Sequence, residues 1–218
     1  MNAGPGWIPA IVRDLGRTDY ETTWRAMQAF TAAREAATPD EIWLTEHPPV
    51  YTVGLAARPE HFPRDGGAIP LVHTDRGGQI TYHGPGQIVA YTLVDIRRAG
   101  WGVRACIRRL ESAIIELLAE QAVAAYGKVD APGVYVKHPR LGGTEAKVGA
   151  LGLKVRNGCT YHGLALNVDM DLSPFAAIDP CGYAGLAVTQ TRDLGVDADR
   201  AALAGELSGC LQRMLHAG

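Results

Sequence analysis

The sequence predicts one α+β domain over residues 1–218, with a mixed, largely antiparallel β-sheet packed by helices. Three observations predict it. Helical periodicity recurs near the start, in the middle and at the end of the chain. Strand-like runs fall between those helices, as a sheet covered by helices requires. Short glycine turns join several of the runs, which implies hairpins rather than doubly wound crossovers. Apolar residues make up 47%, enough for one sizeable core, and no linker divides the chain.

Each element has its own signal. "IPAIVRDLG" reads as a strand closed by Gly16. "TDYETTWRAMQAFTAAREAATPD" reads as a helix, with Tyr20, Trp24, Met27 and Phe30 at helical spacing. Thr18 and Glu21 stand as a capping box, and Pro39 is the expected stop. "EIWLTEH" and "PPVYTVG" read as strands, and "ARPEHFPRDGGAIP" as a loop. "QITYH" and "QIVAYTLVDI" are two more strands. In "GVRACIRRLESAIIELLAEQAV", Val103, Ile107, Leu110, Ile114, Leu117 and Leu118 form one apolar face. "GVYVKH", "AKVGALGLKVR" and "TYHGLALNVDM" follow as strands. Asn157-Gly158 between the last two is a strong hairpin signal. "DADRAALAGELSGCLQRMLHAG" closes as a helix, capped by Asp197 or Asp199.

Composition narrows the function. The net charge of -2 argues against a nucleic-acid binder. No basic segment leads into a long apolar run, and none reaches the roughly 20 apolar residues a bilayer span needs, so a cytoplasmic protein is expected. Cys106, Cys159, Cys181 and Cys210 have wide, irregular spacings with no CxxC. That fits neither a zinc site nor a disulfide scaffold. The histidines show no HxxxH or HExxH spacing, so no metal is expected.

Four segments can carry chemistry. "RGGQITYHGPGQ" has glycines that let backbone approach a ligand, and Arg76, Tyr82 and His83 as polar groups. The same glycines also suit ordinary turns. Lys147 opens a strand of small apolar residues, either against a pocket wall or as an edge-strand charge that blocks aggregation. Gly163-Leu164-Ala165 is small and apolar, as in a narrow slot. Cys106 and Cys210 lie on amphipathic helices, and Cys159 sits at a hairpin turn. Cys181 lies in "DPCGYAG", between Pro180 and Gly182, where Gly182 and Tyr183 amides suit an oxyanion site. A thiolate there needs a nearby cation.

Taken in order, "RGGQITYHGPGQIVAYTLVDI", "AKVGALGLKV" and "TYHGLALNVDMDLSPFAAIDPCG" resemble the octanoyltransferases of lipoate biosynthesis. The resemblance covers most of the chain. It implies a fold like that of biotin and lipoate protein ligases. It implies ATP-independent transfer of an octanoyl group from octanoyl-acyl carrier protein to a lysine of lipoyl domains. Those domains belong to 2-oxoacid dehydrogenase complexes and the glycine-cleavage H protein. No cofactor is implied. By match to the family's motifs, Cys181 is the nucleophile and Lys147, not Lys154, its partner. The substrate walls are Arg76, Gly77, Gly78, Gln79, Ile80, Thr81, Tyr82 and His83, then Ala150, Leu151 and Gly152, then Gly163, Leu164 and Ala165. Gly149 stands where alanine is expected, a departure that touches the pocket lining but no reacting group.

The basic segment with Arg97, Arg98, Arg104, Arg108 and Arg109 reads equally as a docking face for acidic carriers or as a solvated helix edge. Two rival functions are an ATP-dependent ligase on the same fold and a catalytically inactive carrier-binding module. An adenylate site would mark the first. Loss of Lys147 or Cys181 would mark the second.

Overall fold

Alternating apolar residues and short turns build two sheets. The computed structural model describes residues 9–63, 67–178 and 186–216. The larger sheet contains β1 (Ile11–Arg17), β2 (Glu41–Glu46), β6 (Gln87–Leu93), β10 (Cys159–Asn167), β9 (Glu145–Arg156), β8 (Val134–Lys137) and β7 (Ala125–Gly127), in that spatial order. β11 (Ala187–Val188) pairs in parallel with Ala146 and Lys147 of β9. The smaller sheet places β3 (Val50–Val53) between β4 (Leu71–His73) and β5 (Ile80–His83). Most pairings are antiparallel, while β1 with β2 and β3 with β4 run parallel.

The β9–β10 hairpin closes at Asn157 and Gly158, whose φ values are 51° and 74°. Both lie in the left-handed region that a tight two-residue turn demands, which is why Asn-Gly marks it. Arg156 faces Cys159 across that turn, and the register holds to Gly149 opposite Leu166.

Three helices cover the larger sheet. α1 (Tyr20–Ala32) packs Met27 on Trp43, Val89, Leu93 and Tyr161. On the other face, α2 (Val103–Glu120) and α3 (Arg200–His216) pack Leu110, Ile114, Leu117, Leu207 and Leu211 against Ile88, Val148 and Leu166. Burying each such side chain contributes roughly 1.5–3 kcal/mol. Among the described residues, no helix is long and apolar enough to cross a membrane.

The helix ends correct two expectations. Asp19, not Thr18, caps α1: its Oδ1 accepts the Thr22 amide at 2.9 Å. The Thr18 hydroxyl is engaged with Thr45 and Thr23 instead. α1 also ends at Ala32, well before Pro39. There the Thr38 hydroxyl accepts the Glu35 amide and its own amide donates to the Glu35 carbonyl, a local turn that outcompetes another helical turn. For α3, Asp199 is the cap, accepting the Ala202 amide at 2.7 Å.

Candidate active site

A cavity of about 460 Å³ opens where β9 and β10 meet β5, the 76–79 loop, the 130–132 loop and the first turns of α2. That volume suits a small-molecule site. Its walls include Arg76 to Thr81, His83, Lys147, Ala150 to Gly152 and Gly163 to Ala165. The three segments singled out in the sequence therefore converge, although far apart in the chain. Tyr82 is the exception. It points to the other face of β5, packed with Tyr51 and edge-on to Phe175 at 5.5 Å between ring centroids. Alternation along a strand sends Tyr82 away from the wall, and it backs Phe175, which does line the cavity.

The glycines of "RGGQ" allow backbone to lie on backbone. The Gly77 amide donates to the Leu153 carbonyl at 2.9 Å, seating the loop on β9. A Cβ on Gly152 would stand 3.0 Å from the Gly77 carbonyl oxygen, and one on Gly54 would strike Gly78. Gly78 itself has φ 81°. Arg76 is buried, and its guanidinium donates to the Thr52 carbonyl, the Thr52 hydroxyl and the Gly77 carbonyl. It thus fastens the loop to β3.

Lys147 is 5% exposed, on a strand flanked by β8 and β11, so the edge-strand reading does not hold. Lys147 lines the cavity, and its Nζ donates to the Pro132 carbonyl at 3.0 Å and lies 5.3 Å from the Tyr135 ring centroid. Gly133, at φ 151°, makes room: a Cβ there would lie 2.7 Å from Nζ and closer still to Cε. Gly149 contributes backbone to the cavity. Its absent methyl would face Ile114 and Val134 on the α2 side, not the cavity.

A polar floor lies beside this wall. His83 Nδ1 pairs with Gln87 Oε1 at 2.7 Å, and Gln87 Nε2 donates to Asn167 Oδ1. Burial first, then the charges of His47 and Arg76, push the His83 pKa down to about 3. Burial also lowers His47 and His162. His162 holds φ 61° within β10, uncommon for a residue with a side chain. Its Nε2 lies 3.0 Å from Asp75 Oδ1. Asp75 also accepts from Trp24, Gln28 and Tyr161. Burial would raise the Asp75 pKa, but these donors outweigh it and hold the carboxyl well below the usual carboxylate range. His83 and His162 both line the cavity, and burial disfavours the charged form of each ring.

Cys181 lies outside the described residues. The chain on either side is anchored at the cavity: Phe175 and Val188 line it, and Val188 pairs in register with Lys147. Among the described residues, the cysteines are Cys106, Cys159 and Cys210, all buried and none on the cavity wall. Burial pushes Cys106 and Cys210 up to about 11 and raises Cys159, which suits core thiols rather than nucleophiles. Glu116, Glu120 and Cys210 come close together, but Arg213 donates to all three, which makes an ion pair of the cluster.

The basic segment divides. Arg97 pairs with Asp95 and Arg98 with Asp40, while Arg109 lies over Trp101 and donates to the Met214 carbonyl. Arg104 and Arg108 are exposed on the turns of α2 whose Val103 and Ile107 line the cavity.

Comparison with known proteins adds the lineage. Residues 19–204 match the family model of the lipoyl protein ligase A/B catalytic domain. A curated octanoyltransferase of Chromobacterium violaceum is 58% identical over 208 residues, covering 95% of this chain and 97% of the relative. One of Thiobacillus denitrificans is 58% identical, covering 94% and 91%. Among solved structures, a bipartite lipoate protein ligase from Thermoplasma acidophilum superposes with a TM-score of 0.76 at 16% identity, covering 96% of this chain and 85% of that one. A biotin protein ligase from Aquifex aeolicus, solved with biotin and ATP, gives 0.57 at 13% identity, covering 94% and 70%. The fold is therefore of the lipoate and biotin ligase type, as expected.

Proposed function

We infer that this chain, which belongs to the lipoyl protein ligase A/B catalytic-domain family, is an octanoyltransferase of protein lipoylation. It transfers an octanoyl group to a lysine amine of lipoyl-domain proteins. The donor is octanoyl-acyl carrier protein, and the acceptors are the lipoyl domains of 2-oxoacid dehydrogenase complexes and the glycine-cleavage H protein. One observation carries the reading at the level of chemistry: a buried lysine, Lys147, stands on the wall of a cavity otherwise built largely from small and apolar strand residues.

The proposed reaction has two halves. Lys147 as an amine takes the Cys181 thiol proton, leaving a thiolate beside an ammonium. The thiolate attacks the donor's thioester carbonyl. A bond from Cys181 sulfur to the acyl carbon forms, the donor's carbon–sulfur bond breaks, and the departing thiol takes its proton from Lys147. In the second half the acceptor amine attacks the acyl-Cys181 thioester. Lys147 takes the amine's surplus proton, and Cys181 leaves as thiolate. Ala150, Leu151, Leu164 and Ala165 offer the acyl chain an apolar slot. At about 0.8 kcal/mol per buried methylene, an octanoyl tail gains roughly 5 kcal/mol there.

Intact-mass measurement after mixing with octanoyl-acyl carrier protein tests the reading. A gain of one octanoyl group, abolished in Cys181→Ser, is the expected result. Lys147→Ala should slow loading by roughly 10² or more, while Lys154→Ala should not. An adduct that survives Cys181→Ser would overturn the mechanism. Turnover that requires ATP and free octanoate would overturn the donor assignment.

A further inference from the structure

Glu111 is a carboxylate on the apolar stripe of α2, four residues after Ile107 and three before Ile114, and only 6% exposed. Nothing in the reaction above uses it. A charge in such a place needs partners inside the fold. Its Oε1 accepts the Gly133 amide at 2.9 Å. β7 approaches it through Gly127, where a Cβ would come within 3.0 Å of Oε2. Gly133 in turn lies against the Lys147 side chain, and Pro132 supplies the carbonyl that accepts from Nζ. The Tyr135 hydroxyl donates to the Ala131 carbonyl and ties the same loop to β8.

We propose that Glu111 is a positioning residue for Lys147: it grips the 131–133 loop that cradles the lysine head, and it keeps a negative charge behind that head. The inference rests on the reading of Lys147 as the partner of Cys181.

Charge and geometry act together here. Burial raises the Glu111 pKa, and the Gly133 amide, Lys147 and Arg108 pull it back. The charges that act on the carboxylate are thus Lys147 from β9 and Arg108 from its own helix. Asp130 of the adjoining loop reaches the cavity wall, and Lys128 near β7 is paired with Glu145 of β9. The same coupling places a negative charge next to the ammonium–thiolate pair that the proposed reaction forms.

The test is the pH profile of octanoyl loading in Glu111→Gln, with Glu111→Asp and Lys147→Ala beside it. Glutamine keeps an oxygen for the Gly133 amide but carries no charge. Loading in Glu111→Gln should fall about tenfold, and the alkaline limb of the profile should move to lower pH by about half a unit or more. Glu111→Asp keeps the charge, so its alkaline limb should stay in place even where its rate falls. A Glu111→Gln enzyme with unchanged rate and unchanged limb would overturn the inference. So would a limb shift in Glu111→Asp equal to that in Glu111→Gln. Lys147→Ala separates the two readings. If it loads at the full rate, the Cys181–Lys147 reading fails. If it is inactive while Glu111→Gln behaves as wild type, only the role of Glu111 fails.

Discussion

Gly133→Ala should damage the site without removing any reacting group. The added Cβ would sit 2.7 Å from Lys147 Nζ and 3.1 Å from the Gly149 carbonyl oxygen. Unstrained contacts of that kind need about 3.5 Å or more. The lysine head must therefore retreat by roughly 1 Å, and such a misplacement costs on the order of 10² in rate. The backbone adds its own penalty, because φ 151° suits glycine alone and strain of that kind costs about 1–3 kcal/mol. For a chain of this length that lowers the unfolding midpoint by roughly 2–12 °C. A double-mutant cycle with Lys147→Ala divides the two effects. Removing the lysine head removes the collision but not the strain, so the cycle should show a coupling of about 1 kcal/mol or more in unfolding free energy. Octanoyl loading by mass and thermal unfolding are the two assays. A Gly133→Ala protein that loads within about threefold of wild type would refute the claim that this glycine exists to admit Lys147.

Three further outcomes follow from the polar floor and the rim. His83 titrates near 3 when folded against about 6.5 when unfolded, so the unfolded chain takes its proton first and stability drops as pH falls through that window. His83→Gln should flatten the fall in denaturant midpoint between pH 6.5 and 3; an unchanged slope would count against a buried neutral ring. Asp75 has a depressed folded pKa, so its contribution is complete above about pH 4, the unfolded value, and is lost on acidification below it. The stability gap between wild type and Asp75→Asn should accordingly narrow as the pH falls from 5 to 2, measured by urea titration. At the rim, Arg104→Glu should raise KM for acyl carrier protein several-fold, about threefold or more, at low salt with kcat little changed, whereas Arg98→Glu should act on stability through Asp40.

Much of this architecture was legible because its signals are local. Asn157-Gly158 names a hairpin by its own backbone needs, and Ile114, Leu117 and Leu118 name the buried face of α2 by spacing alone. The convergence of Arg76–His83, Ala150–Gly152 and Gly163–Ala165 was legible only through their order along the chain, since no spacing law joins residues so far apart. Tyr82 shows the limit of reading a motif as a block: strand alternation turns every second side chain away, and a contiguous run includes both faces. The 130–133 loop was missed because "DAPGV" reads as an ordinary turn until Lys147 is seen resting on it. Glu111 did leave a signal. A carboxylate at helical spacing within an apolar stripe is costly unless something inside the fold meets it. The Asp75 network had no comparable signal, because its four donors come from α1 and β10.

Gly149 shows why a departure from a family pattern needs its direction in space before it is given a role. By position it belongs to the cavity wall, so an alanine there would be expected to shorten the acyl slot. The Cβ direction says otherwise: the methyl would stand 3.0 Å from Ile114 Cδ1 and 3.4 Å from Val134 Cβ, inside the packing of β9 on α2. The Val134–Tyr135 irregularity in the β8–β9 register is the local cause, since it pairs Val134 with Gly149 and Tyr135 with Lys147. Ile114 has a flexible end that can yield the few tenths of an ångström required, so Gly149→Ala should cost under about 1.5 kcal/mol in stability. Competition among hexanoyl, octanoyl and decanoyl donors should give the same preference as wild type. A preference moved toward hexanoyl would mean that the methyl reaches the acyl chain, and that position 149, and not only the side chains of Leu151 and Leu164, sets the depth of the slot.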